Sequence, residues 1–144
     1  MLGHEAPELL AYPRETVVAE KLQVMLHRRM LNSRLRDYYD IWLLSRSFAF
    51  DGALLAEAVK NTCARRQTEI TEHPSGLSAE FVQDPARQTQ WAAFRRKSQL
   101  EDSPKSLIDL VESVAGFLGP IVEAISQDGE PRLQWDPPGP WERR

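Results

Sequence analysis

Cysteine is nearly missing from this sequence: Cys63 is the one cysteine in 144 residues. A single thiol cannot close an internal disulfide or build a cysteine zinc site. A reducing, cytoplasmic setting is therefore expected. No apolar run approaches the ~18 residues that span a bilayer. The longest apolar region, Leu107 to Ile125, is interrupted by Asp109, Glu112 and Glu123, so no membrane partner is expected. Met1-Leu2-Gly3-His4-Glu5 lacks the basic-then-apolar pattern of a secretion signal. An excess of positive charge is also missing. The formal net charge of -3 excludes coating nucleic acid by bulk charge but leaves room for a local basic patch. There is no P-loop, no Gly-x-Gly-x-x-Gly and no Gly-x-Ser-x-Gly elbow. His4, His27 and His73 lie too far apart for metal-ligand spacing, so no metal ligands are assigned.

The residues present fit a soluble globular chain, 42% hydrophobic and 27% charged. Residues 6–12 are short and apolar enough for one strand, yet nothing else resembles a sheet. Pro13 opens a helix whose Val17, Val18, Leu22, Val24 and Met25 share a face, fading near Met30 to Ser33. A second helix, Leu35 to Ser47, is apolar nearly all round and should be buried between others. Asp51 caps a third, with Leu54, Leu55, Ala58, Val59 and Cys63 on one face. Ser78 caps a short helix, and Asp84-Pro85 starts one that carries Trp91 and Phe94, which read as core. Ser103-Pro104 repeats that start signal before a long apolar helix, in which Pro120 predicts a kink or break. The fold class is thus all-α, with about five to six helices. The tail, 128–144, holds four of the ten prolines and two of the four tryptophans. It reads as extended, with Trp135 and Trp141 placed to pin it.

Chemistry concentrates between Pro13 and Leu44. Lys21 falls in the middle of the arc of Val17, Val24 and Met25, with Arg28 almost in line. A lysine on an apolar face needs a carboxylate partner, a route for its head to water, or a phosphate ligand. The next helix carries Asp37 and Asp40, three residues apart and on one side. They form a salt-bridge network with nearby cations (Lys21, Arg28, Arg29, Arg34, Arg36) or one wall of a site. Asp-x-x-Asp alone is a weak metal signal. Arg65-Arg66 and Arg95-Arg96-Lys97 are basic clusters near helix ends, solvated or in contact with RNA.

Tyr12-Pro13-Arg14-Glu15-Thr16-Val17-Val18-Ala19-Glu20-Lys21, followed by Asn32-Ser33-Arg34-Leu35-Arg36-Asp37-Tyr38-Tyr39-Asp40-Ile41-Trp42, resembles the C-terminal motif region of the AbiEii/AbiGii toxin nucleotidyltransferases. That family lies within the DNA polymerase β-like superfamily. The resemblance continues through Ala64-Arg65-Arg66, Asp84 to Trp91 and Pro138 to Trp141, covering nearly the whole chain. It implies a helical C-terminal lobe at 13–127. Residues 1–12 would then be the remnant strand of an N-terminal α/β lobe. It also implies nucleotide transfer from an NTP, with Mg²⁺, to an acceptor such as tRNA. The setting would be a toxin–antitoxin pair or a phage-defence operon with a cognate antitoxin. Lys21 matches the family's third-motif lysine and Asp37 its fourth-motif aspartate. Glu20, Arg29, Arg36 and Asp40 would support them, and Arg65 and Arg66 would meet RNA.

One departure is large. The family's Gly-Ser turn and Asp-x-Asp pair, which hold Mg²⁺ and triphosphate, occur nowhere in these 144 residues. The expectation is a truncated or split nucleotidyltransferase that is inactive alone and needs no cofactor by itself. The alternative is a helical interaction module that binds an antitoxin or a separate N-terminal lobe through Leu9, Leu10 and Val17.

Overall fold

The computed structural model describes residues 13–31 and 34–144. The strand expected at 6–12, His4, Leu9, Leu10, Asn32 and Ser33 fall outside the described residues. In chain order the elements are α1 (Arg14–Arg28), a 3₁₀ turn (Arg29–Leu31), α2 (Leu35–Ser47), β1 (Phe50–Asp51) and α3 (Gly52–Arg65). A second 3₁₀ turn (Ser75–Leu77), α4 (Ala79–Val82), α5 (Pro85–Ser98), α6 (Leu107–Ser126), β2 (Leu133–Trp135) and β3 (Trp141–Arg143) follow. The fold is mostly helical, as the periodicity indicates.

Capping side chains fix most of the helix starts. Asp51 accepts from the Ala53 and Leu54 amides at 2.9 and 3.3 Å. Ser78 accepts from Phe81 at 3.2 Å, and Asp84 from Ala86 at 2.9 Å, with Pro85 next in line. Each bond satisfies an amide that the helix itself leaves open. The last helix starts later than Ser103-Pro104 suggests. Ser106 is its cap and accepts from Asp109 at 3.0 Å. The Pro104 carbonyl instead receives the indole N–H of Trp91 at 3.0 Å.

α6 runs unbroken through Pro120, contrary to a break there. Gly116, whose carbonyl Pro120 cannot bond, is exposed. Water can take that open position. One residue on, the Phe117 carbonyl accepts the Trp141 indole N–H at 2.8 Å. α6 is the central post of the core, burying Leu110, Val114, Phe117, Leu118, Ile121 and Val122. On α3 the buried side is Leu55, Ala56, Val59, Thr62 and Cys63. Leu54, expected in the core, is 57% exposed because it sits in the first turn, turned away from α6.

The tail does not lie as a plain extended segment. β2 and β3 form an antiparallel hairpin, and β2 pairs with β1 in a three-stranded sheet ordered β1-β2-β3. Three-residue strands carry too weak a period to be read from sequence. Trp135 is buried and donates to the Ser45 carbonyl at 2.6 Å, one of the acceptors left open at the end of α2. The turn between β2 and β3 contains Gly139 at φ +97, where a Cβ would collide with the Trp135 ring. Only glycine suits that position.

Candidate active site

α1 presents two apolar faces rather than one. Val18, Ala19, Leu22, Met25 and Leu26 point into the core. Val17 and Val24 are half-buried and wall a cleft, with Lys21 between them. Lys21 therefore sits beside the core stripe, not at its centre. Its stem packs along the helix while its ammonium reaches α2.

There it meets both acidic side chains. Lys21 Nζ lies 3.2 Å from Asp37 Oδ1 and 3.0 Å from Asp40 Oδ2. The two carboxylates are 5% and 8% exposed, so the ammonium is what makes their burial tolerable. Arg34 Nε approaches Asp37 Oδ2 at 3.2 Å, and Arg36 Nε approaches Asp40 Oδ2 at 3.7 Å, both from the solvent side. Three cations thus surround two acids.

The other expected residues divide. Glu20, one position before Lys21, grips Arg65 at 2.7 Å and Arg66 at 3.0 Å. This joins the end of α3 to the same cleft, which is lined by Thr16, Val17, Glu20, Lys21, Arg34 and Arg66 among others. Arg29 is not brought to Lys21. It closes α1 at a positive φ of 53 and lines a separate pocket with His73 and Glu69. Arg28 is exposed in the last turn of α1. Cys63 is buried on α3, and burial pushes its thiol up, with the Glu20 charge adding to the effect.

A second cleft opens on the far side of the charged group. Lys21, Arg34, Asp37 and Asp40 line it from one side, Gln90 and Phe94 of α5 from the other. Trp91 is fully buried core, as its spacing suggests, and Phe94 packs against the core but is only partly buried. Sequence spacing could not separate the two, because the packing of α5 on Tyr39 decides which ring is covered.

A family model described as "Nucleotidyl transferase AbiEii toxin, Type IV TA system" matches residues 1–118. The chain belongs to the AbiEii toxin family. The match takes in all of α1 to α5 and ends within α6, so the tail hairpin lies beyond it. Comparison with curated proteins and with solved structures gives no match. AbiEii proteins are nucleotidyl transferases of a toxin–antitoxin system, so a nucleoside triphosphate and an antitoxin are the implied substrate and partner.

The residues fit the triphosphate better than the metal. Lys21, Arg34 and Arg66 present cations along one cleft, the chemistry that phosphate oxygens need. Magnesium requires about six oxygen ligands at ~2.0–2.1 Å in octahedral array. Asp37 and Asp40 instead close on an ammonium, and no group of three or more His, Cys, Asp or Glu suited to a metal occurs among the described residues. No metal-dependent step is assigned to this wall of the site. Among the described residues no helix is long and apolar enough to cross a membrane.

Proposed function

We propose that this chain forms the helical wall of a nucleotide-transferring toxin site, the C-terminal half of the family's enzyme. Lys21 steadies the triphosphate. Asp37 orients Lys21 and accepts the proton of the attacking acceptor hydroxyl. Asp40 and Arg36 hold that arrangement, and Glu20 keeps Arg65 and Arg66 beside the cleft, where they meet the acceptor RNA. A tRNA 3′ end is the acceptor we favour, and phage defence in the cytoplasm the setting.

One observation carries the reading. Lys21 is anchored at 3.2 and 3.0 Å by two buried carboxylates, yet its side chain is 20% exposed and borders a cleft on each side. Structural lysines also keep their heads near water; what sets Lys21 apart is that two open clefts meet at its anchored ammonium. This one is held rigid while open to a ligand, the pre-organisation that phosphoryl transfer uses.

The chain alone should not complete the reaction. Neutralising the phosphates needs metal, and the Gly-Ser and Asp-x-Asp residues that hold it are absent from the 144 residues. The test incubates labelled NTPs, Mg²⁺ and total tRNA with this chain and with a version extended by a segment bearing both motifs. Label should enter tRNA only with the extended protein. Lys21→Ala and Asp37→Ala should abolish that transfer while leaving helix content unchanged. Wild-type turnover in both variants would overturn the assignment.

A further inference from the structure

Two clefts meet at the Lys21–Asp37 pair, and their far walls differ in chemistry. The first continues into Thr16, Val17, Val24 and Arg66, aliphatic and cationic with no aromatic ring. The second continues into Phe94, with Arg36 and Gln90 at its sides. A ribonucleotide has a flat base, a hydroxylated sugar and an anionic phosphate. The second cleft offers an aromatic face for the base and the Arg34 and Arg36 guanidinium groups for the phosphate.

From this geometry we infer that Phe94 is the stacking wall of a ribonucleoside subsite. The inference rests on the nucleotide-transfer reading above. Three features support it. Phe94 is only partly buried and lines the cleft, whereas Trp91 behind it is fully buried. The Phe94 ring is held from behind by Trp91, stacked at 5.6 Å and 26°, and from the side by Tyr39, edge-on at 6.0 Å. It is thus a rigid platform rather than a swinging side chain. Finally, Arg34 and Arg36 line the same cleft beside Phe94 and present guanidinium groups suited to a phosphate. Aromatic stacking tolerates any base, so Phe94 would supply affinity while edge contacts supply preference.

The base could belong to the incoming NTP or to the last nucleotide of the acceptor. The experiment separates these sources. Binding of each ribonucleoside triphosphate, of inorganic tripolyphosphate and of the RNA trinucleotide CCA is measured by calorimetry on the full chain. Phe94→Leu keeps the apolar volume without the π face, and Phe94→Tyr keeps both. Phe94→Leu should weaken nucleoside-bearing ligands about tenfold, leave tripolyphosphate unchanged, and be rescued by Phe94→Tyr. Loss confined to the triphosphates places the donor base there, and loss confined to CCA places the acceptor. Equal binding by the wild type and Phe94→Leu, or equal weakening of tripolyphosphate, overturns the subsite. Lys21→Ala is measured in parallel. If it leaves tripolyphosphate binding intact while the Phe94 effect persists, the triphosphate role of Lys21 fails and the subsite stands.

Discussion

The Lys21 ammonium stands 3.2 Å from the Asp37 carboxylate, across sixteen residues and from one helix to the next. Removing the lysine leaves the two buried acids compensated only from the solvent side, by Arg34 on Asp37 and Arg36 on Asp40. Lys21→Ala should cost at most about 3 kcal/mol, the low end for breaking a buried ion pair, because those arginines remain. Asp37→Asn should cost less, since Asp40 still holds the ammonium. Urea denaturation of both variants and the double variant measures this. A Lys21→Ala protein as stable as the wild type would show that the pair contributes nothing to the fold.

Glu20 restrains Arg65 and Arg66, which are 61% and 52% exposed. Such exposed pairs contribute at most about 1 kcal/mol. Glu20→Gln should therefore leave the melting temperature almost unchanged but tighten tRNA binding at low salt. Arg65→Ala and Arg66→Ala should each flatten the salt dependence by about one phosphate contact. Filter binding across a salt series is the measurement. Identical slopes in all four proteins would remove the arginines from RNA contact.

The tail hairpin is seated by two indole N–H groups. Trp135→Phe leaves the Ser45 carbonyl without its 2.6 Å donor, at an expected cost of about 1–2 kcal/mol. Gly139→Ala should cost about 1–3 kcal/mol, through positive φ and the clash with Trp135. Both should show as lower denaturation midpoints, with only the clash part of the Gly139→Ala loss relieved in a Trp135→Ala background.

Cys63 is shielded on α3, and its thiol is pushed above the usual thiol range, first by burial and then by the Glu20 charge. The native protein should resist a maleimide at pH 8, while the urea-unfolded chain reacts at once. The folded state binds this proton more tightly than the unfolded chain. Its contribution to stability is complete below the unfolded pKa and is lost as pH rises through the folded one. Prompt labelling of the native protein would contradict the packing.

Much of this was legible beforehand because it depends on neighbours in sequence. Asp51, Ser78 and Asp84 cap helices by reaching two or three residues along the chain. The long apolar period of α6 marks the central helix directly. Lys21, Asp37 and Asp40 stand out because charges on apolar helices demand partners, and the structure supplies them from each other. Arg29, expected only in a supporting place, is left in a separate pocket where the chain turns at φ 53.

Local order along the chain, then, set the helices, their caps and the residues that needed a counter-charge, since these interactions span at most a few positions. Packing alone decided that Val17 and Val24 wall a cleft at the margin of the core, that Phe94 is only partly covered while Trp91 is fully buried, and that the tail folds into a hairpin on β1. Those outcomes depend on contacts between distant segments, such as the Trp135 indole on Ser45, ninety residues away, and no period in the sequence encodes them.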